Sequence, residues 1–157
     1  MFSNVYSLDY PPSVSFAGSV EGLTKDQNES VRFFLESMVD HDREIGRNLL
    51  HFHHRDLIGG DHEAHQIASE LGYFIHIYPS LDPTMDANSV GSYLIYEKDP
   101  PDKIAREMIY YTEITLIAPR LSKSQEPFVW ELAKEALKKA RECYVVYPDG
   151  VLESLSD

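Results

Sequence analysis

Residues 53–61 read His53-His54-Arg55-Asp56-Leu57-Ile58-Gly59-Gly60-Asp61, two histidines and two aspartates around a pair of glycines. The residues just before this run have the composition of a short strand. After it, Ala64, Ile67, Ala68 and Leu71 recur at the spacing of one helix face. Adjacent glycines let the backbone turn tightly between two such elements. The run is therefore predicted to lie at the carboxyl end of a strand, where open α/β sheets form their crevices.

The same alternation of strand and helix patterns extends along the 157 residues. Strands are predicted at residues 14–17, 49–53, 74–78, 114–118 and 144–147, with an amphipathic helix in each interval. This order predicts an α/β fold, a single Rossmann-like three-layer domain with a mostly parallel five-stranded sheet. The domain is expected to span residues 1–157, with its core at about 13–150. Residues 80–101 are predicted to form a long loop, and those after Gly150 a frayed tail.

Composition excludes several classes of protein. The formal net charge of −12 argues against direct contact with nucleic acid, which needs clustered basic side chains. No apolar run approaches the roughly 20 residues that cross a bilayer, so no membrane contact is expected. One cysteine, Cys143, fits a reducing compartment, and no signal peptide is evident, which predicts a cytoplasmic protein. The basic cluster Lys134, Lys138, Lys139 and Arg141 is interpreted as a solvated helix face.

Two segments carry candidate binding residues. Gly18 to Thr24 follows the first predicted strand and precedes a helix, so its backbone could approach a ligand closely, although Glu21 would repel a phosphate and a plain tight turn is also consistent. In the run 53–61, Asp56 and Asp61 could accept hydrogen bonds from ligand hydroxyls. Asp61 could equally be the N-cap of the following helix.

The histidine content raises the possibility of a metal site. His51, His53, His54, His62 and His65 are close in sequence, but His62-Glu63-Ala64-His65 has i, i+3 spacing, which is not the pattern of zinc hydrolases. A second cysteine for a structural zinc site is also missing. Neither a metal nor a cofactor is expected. The Gly-x-Ser-x-Gly turn of serine hydrolases and the phosphate-binding loop of nucleoside triphosphatases are absent as well.

Taken in order, several segments resemble the SLOG superfamily of Rossmann-like domains, which includes the Lonely-guy enzymes and the DNA-processing protein A family. The resemblance covers about residues 13–150 and is carried by residues 18–27, residues 53–72, Leu116-Ile117-Ala118-Pro119 and Pro148-Asp149-Gly150. It implies a nucleotide or nucleotide-derived ligand. The ligand-binding residues that it implies are Gly18, Ser19, His54, Asp56, Gly59, Gly60, Asp61 and Trp130. Gly18, Ser19 and Gly60 would offer backbone N–H groups, and Trp130 would stack on a base.

One departure from the family pattern bears on function. Phe128-Val129 stands where the family has a Gly-Thr pair that approaches a phosphate. The sequence therefore predicts binding of a nucleotide-derived small molecule, for sensing or sequestering a signal, without turnover. One alternative is a Lonely-guy-like phosphoribohydrolase that cleaves an N-glycosidic bond, with Glu131 as its acid. Another is an acidic protein-interaction domain with a vestigial pocket. A homodimer or higher homo-oligomer is expected, formed through Tyr110-Tyr111 or the helix at 129–140.

Overall fold

A computed structural model describes residues 13–81 and 83–156 of the chain. Its centre is one sheet in the order β4-β3-β2-β1-β5-β6-β7, parallel throughout except that β7 runs antiparallel to β6. The strands are β1 (Ser13–Gly18), β2 (His51–His54), β3 (Phe74–Ile77), β4 (Leu94–Ile95), β5 (Ile114–Ala118), β6 (Glu142–Val146) and β7 (Leu152–Leu155). The α/β fold with a mostly parallel sheet is therefore confirmed.

Within the described residues, four α-helices cover the two faces of this sheet: α1 (Lys25–Glu44), α2 (Gly60–Glu70), α3 (Pro101–Tyr111) and α4 (Pro127–Lys138). The apolar stripe of α1, with Val31 and Phe34, packs with α2 on one face in a core that includes Phe16 and Phe52. Helices α3 and α4 pack on the other face, α4 against β1, β5 and β6 and α3 against α4 and β1. None of the described helices is long and apolar enough to cross a membrane.

The prediction of five strands is wrong, because the sheet has seven. Strand β4 lies inside the segment predicted as a long loop, together with a short 3₁₀ helix at Pro83–Met85. Strand β7 lies in the segment predicted as a frayed tail. Pro148-Asp149-Gly150 does not simply end the last parallel strand but turns the chain back, with Tyr147 and Val151 hydrogen-bonded across the turn. Gly150 has φ +85°, which a glycine adopts at little cost.

Strand order reverses between β1 and β5. From β1 the chain builds β2, β3 and β4 towards one edge, then returns to place β5 and β6 on the other side of β1. The loops that leave β1 and β5 consequently diverge to opposite faces of the sheet. Such a switch point leaves a crevice beyond the carboxyl ends of the two strands.

Candidate functional site

A cavity of about 420 Å³ lies at this switch point. Most of its lining is apolar, with Phe128 of α4 and Ile104 of α3 among the larger side chains. The polar members are Arg55, Ser80, Gln125 and Glu126. The full lining is Gly18, Val20, Arg55, Leu57, Ser80, Leu81, Met85, Pro101, Ile104, Gln125, Glu126, Pro127, Phe128 and Val129. We refer to this cavity as the crevice.

Beside the crevice, Gly18 at the end of β1 makes a close backbone contact with Gly60 at the start of α2. A Cβ on Gly18 would lie 2.8 Å from the Gly60 Cα. The N–H groups that the sequence assigned to a ligand already have protein acceptors: Gly18 donates to Asp61 (2.8 Å), Ser19 to the Ala118 carbonyl (3.2 Å) and Gly60 to the Ser19 carbonyl (2.7 Å). In this structure these N–H groups join β1 to α2 and β5.

Arg55 and Asp61 form a buried ion pair next to this contact. The guanidinium donates to Asp61 through Nη2 (3.0 Å) and Nε (3.3 Å), and the backbone N–H of Arg55 donates to the same carboxylate (2.9 Å). Arg55 also donates to the carbonyls of Gly18 and Phe128, both at 3.1 Å. The pair therefore connects β1, β2, α2 and α4, and Arg55 lines the crevice.

The alternative that Asp61 is an N-cap is wrong. Helix α2 begins at Gly60 with Gly59 as its N-cap, and no side chain caps it by a hydrogen bond. Gly59 has φ +85°, and a Cβ there would lie 2.4 Å from the Val20 carbonyl oxygen. Glycine is therefore required at this position, and Asp61 is buried in the first turn because it accepts hydrogen bonds from Gly18 and Arg55.

His54 lies in a chain of hydrogen bonds that fixes its tautomer. The Asp56 N–H donates to His54 Nδ1 (2.9 Å), so Nε2 of the neutral ring carries the proton. His54 Nε2 then donates to His65 Nδ1 (2.8 Å), and His65 Nε2 donates to the Val90 carbonyl (2.7 Å). Burial lowers the pKa of His54 to about 3, which keeps the ring neutral.

Asp56 holds the segment 85–90, which we call the strap. Its carbonyl accepts from Ala87 (2.8 Å) and its carboxylate from the Ser89 N–H (3.2 Å). Asp56 itself has φ +58°, a conformation that aspartate tolerates better than most residues. The strap begins at Met85, which lines the crevice. Asp56 therefore faces the strap and positions one wall of the crevice.

Glu126, which the local sequence did not indicate as a site residue, borders the crevice as the N-cap residue of α4. Its carboxylate accepts from the Ser19 hydroxyl, from the Arg120 N–H (2.9 Å) and from the Leu121 N–H (3.2 Å). The Glu126-Pro127 pair was a usable signal, since proline favours the first helical position and acidic groups favour helix N-termini. What the pair did not indicate is the contact with Ser19, 107 residues away.

Trp130 and Glu131 do not line the crevice. They border a separate depression of about 460 Å³ between α4 and β7, together with Lys123 and Leu155. The indole N–H of Trp130 points to the Leu121 carbonyl (3.4 Å), and the Lys123 ammonium lies 5.3 Å from the ring centroid. The aromatic side chain at the crevice is instead Phe128, which is 60% exposed.

The other histidines of β2 and β3 face each other on the side of the sheet that α3 and α4 cover. His51 and His76 are joined by a hydrogen bond of 2.7 Å between Nδ1 and Nε2, and His53 stacks on His76 with centroids 4.0 Å apart. Burial lowers the pKa of His53 to about 2 and that of His76 to about 4. Within the part of the chain that the structure describes, no group of three or more His, Cys, Asp or Glu is placed to hold a metal ion.

No protein-family model matches the sequence, and no curated protein matches it. The SLOG resemblance therefore stays a prediction.

Proposed function

We propose that this protein binds a nucleotide-derived small molecule in the crevice and does not turn it over, so that it senses or sequesters that molecule. The observation that carries the proposal is the crevice at the reversal of strand order between β1 and β5. Its volume of about 420 Å³ and its apolar lining with a few polar groups are typical of small-molecule sites.

The lining suits a ligand with a flat ring and a hydroxylated part. Phe128 offers an aromatic face on which a base can stack. Arg55, Ser80 and Gln125 place a guanidinium, a hydroxyl and a carboxamide at the same cavity, which are groups that hydrogen-bond bases and ribose.

The surroundings of the crevice favour binding over catalysis. The carboxylate of Glu126 already accepts three hydrogen bonds, and His54 is buried, neutral and hydrogen-bonded through both ring nitrogens. Glu131, the acid that the hydrolase alternative needs, lines the other depression. General acid–base catalysis requires a titratable group within hydrogen-bond reach of the reacting atoms.

The test is a thermal-shift panel of nucleosides, nucleotides, cyclic nucleotides and ADP-ribose derivatives. A ligand at about 1,000 times its Kd stabilises a protein by about 4 kcal/mol, which at this chain length is a shift of roughly 10 °C. Chromatography of the same mixtures is expected to show no released base. A panel in which no compound raises the melting temperature would contradict the proposal.

A matched pair of variants locates the binding. Val20 lines the crevice and is 43% exposed, whereas Val151 lies outside it and is 53% exposed. Val20→Trp fills the cavity and is expected to abolish the shift, while Val151→Trp is expected to keep it. A shift of equal size in Val20→Trp would place the ligand elsewhere.

A further inference from the structure

Three donors converge on one carboxylate beside the crevice. The hydroxyl of Ser19 comes from the end of β1, and the N–H groups of Arg120 and Leu121 come from the loop after β5. Ser19 is fully buried, so its hydroxyl has no contact with bulk water. Positioned N–H and O–H groups of this kind stabilise an anion, and the nearby N-terminus of α4 adds to the effect. We call these three donors the cradle; the anion in it is the protein's own Glu126.

The charged groups that line the crevice, together with the buried Asp61, also disfavour a bound phosphate. Arg55 is the cation in the lining, and its charge is balanced by the buried Asp61 at 3.0 Å. Glu126 adds a second carboxylate, so the three groups together carry a formal charge of −1. A phosphate entering the crevice would therefore meet an occupied cradle and a carboxylate that repels it.

We propose that Glu126 determines ligand specificity: its carboxylate fills the cradle as an internal anion, and the crevice therefore accepts nucleosides and other uncharged nucleoside derivatives in preference to their phosphates. This inference rests on the proposed function and narrows its ligand class. Its structural part, that the cradle accepts an external anion once the carboxylate is removed, can be tested without any nucleoside.

The experiment compares matched ligands and matched variants. Adenosine and guanosine are titrated beside their 5′-monophosphates, and inorganic phosphate is titrated alone, with melting temperature and calorimetric affinity as readouts. The variants are Glu126→Ala, which empties the cradle, and Glu126→Gln, which keeps the shape of the side chain and removes its charge. Glu131→Ala is the control, because it removes a nearby carboxylate, on α4 itself, that lies outside the crevice.

In the unmodified protein, a nucleoside is expected to bind about tenfold or more tightly than its monophosphate. Glu126→Ala is expected to bind the monophosphate about tenfold or more tightly than the unmodified protein does, and to be stabilised by inorganic phosphate. Glu126→Gln is expected to lose part of the discrimination, which also tests the inference if Glu126→Ala fails to fold. Adding Ser19→Ala to either variant is expected to reduce the gain, and Glu131→Ala is expected to behave like the unmodified protein.

The outcomes separate this inference from the proposed function. If nucleosides bind but neither Glu126 variant gains affinity for monophosphate or inorganic phosphate, the inference fails and the proposed function stands. Equal affinity of the unmodified protein for a nucleoside and its monophosphate overturns the inference as well. If no nucleoside or nucleotide binds any variant, the proposed function fails and the ligand-specificity claim fails with it; stabilisation of Glu126→Ala by phosphate would then support only the account of the cradle.

Discussion

Arg55 and Asp61 show how much of the site is held by one buried pair. The Asp61 carboxylate is fully buried, the Arg55 side chain is 9% exposed, and the two are joined by three side-chain and backbone donors of Arg55. A buried pair contributes little net stability relative to apolar residues, but removing one partner leaves an uncompensated charge. Asp61 therefore compensates the charge of the Arg55 guanidinium, which stays buried at the wall of the crevice.

Asp61→Asn is expected to lower the free energy of unfolding by about 3–5 kcal/mol, because the amide cannot compensate the buried guanidinium. Urea unfolding at neutral pH measures the change. Asp102→Asn is the control, since Asp102 pairs with Arg106 at 3.3 Å with both side chains more than half exposed. An exposed pair of this kind is worth about 0–1 kcal/mol. Equal losses in the two variants would contradict this account.

Gly60→Ala tests the contact between β1 and α2. The added Cβ would lie 2.9 Å from the Gly18 Cα and 3.1 Å from the Ser19 nitrogen, both backbone atoms that cannot rotate away. We expect a loss of about 1–3 kcal/mol from overpacking, measured by urea unfolding. Gly91→Ala is the contrast, because there the added Cβ meets nothing within 4 Å and only the φ of +85° opposes it, whereas Gly60 is not at a positive φ. A Gly60→Ala protein as stable as the unmodified one would show that α2 can shift freely.

The run 53–61 lies at a strand end, as the sequence predicts. The residues of this run that were predicted to bind a ligand are instead hydrogen-bonded within the protein. The reason is that their partners are remote: Gly18 lies 43 residues from Asp61, and Phe128 lies 73 residues from Arg55. Local composition identifies which groups need partners, and only the fold decides whether protein or ligand supplies them. The cradle around Glu126 depends on the same kind of remote contact.

Among the elements, the strap at 85–90 joins the crevice to α2. Asp56 binds it at Ala87 and Ser89, the chain from His54 through His65 ends on the Val90 carbonyl, and His62 Nδ1 lies 2.8 Å from the Ser89 hydroxyl. The Ile58 N–H adds a bond to the Met85 carbonyl (2.9 Å). The polar residues of the run 53–61 and of α2 thus act by positioning this segment.

Asp56→Ala is expected to loosen the strap without disturbing the sheet. Loss of the carboxylate removes the acceptor of the Ser89 N–H, and amide exchange at Ala87 and Ser89 is expected to accelerate about tenfold, while amides of β1 and β5 keep their protection. Hydrogen exchange followed by NMR gives the rates. Asp40→Ala, an exposed position on α1, is the control. An unchanged exchange rate of the Ser89 amide would show that the Asp56 carboxylate does not hold the strap.

Strands β4 and β7 were not predicted from the sequence for a common reason. Strand β4 has two residues, too few to show a period of two, and β7 is an edge strand with the sequence Leu-Glu-Ser-Leu, in which the apolar residues do not alternate. Both are held by pairing with a neighbour that the local pattern does not reveal. The central strands β1, β5 and β6 were predictable because buried parallel strands have continuous apolar runs.

For the whole molecule, the buried histidines make stability depend on pH. Burial lowers the pKa of His53 to about 2, of His54 to about 3 and of His76 to about 4, from 6.5 in the unfolded chain. Below 6.5 the unfolded chain therefore binds protons that the folded protein does not, and the free energy of unfolding falls as pH falls. Burial raises the pKa of Glu113 and Glu142, which acts in the opposite sense closer to 4.5.

We expect the free energy of unfolding to be nearly constant between about pH 7.5 and pH 8 and to drop steeply between about pH 6.5 and pH 5, by up to about 1.4 kcal/mol per pH unit for each of the three histidines. Urea midpoints across this range measure it. His53→Gln is expected to reduce the slope near pH 5, since it removes one of the groups whose pKa burial lowers. Stability that is flat or rising towards pH 5 would contradict the assignment of neutral, buried rings.

The central claim, that the crevice is the binding site, is tested most directly by mapping backbone amide shifts of the ¹⁵N-labelled protein as the best compound of the nucleoside panel is titrated. If the crevice is the site, the perturbed amides cluster at residues 18–20, 55–57, 80–81, 85, 125–126 and 128–129, around the crevice. A cluster around Leu137 and Leu155, which border the other depression, or spectra that no compound changes, would contradict it.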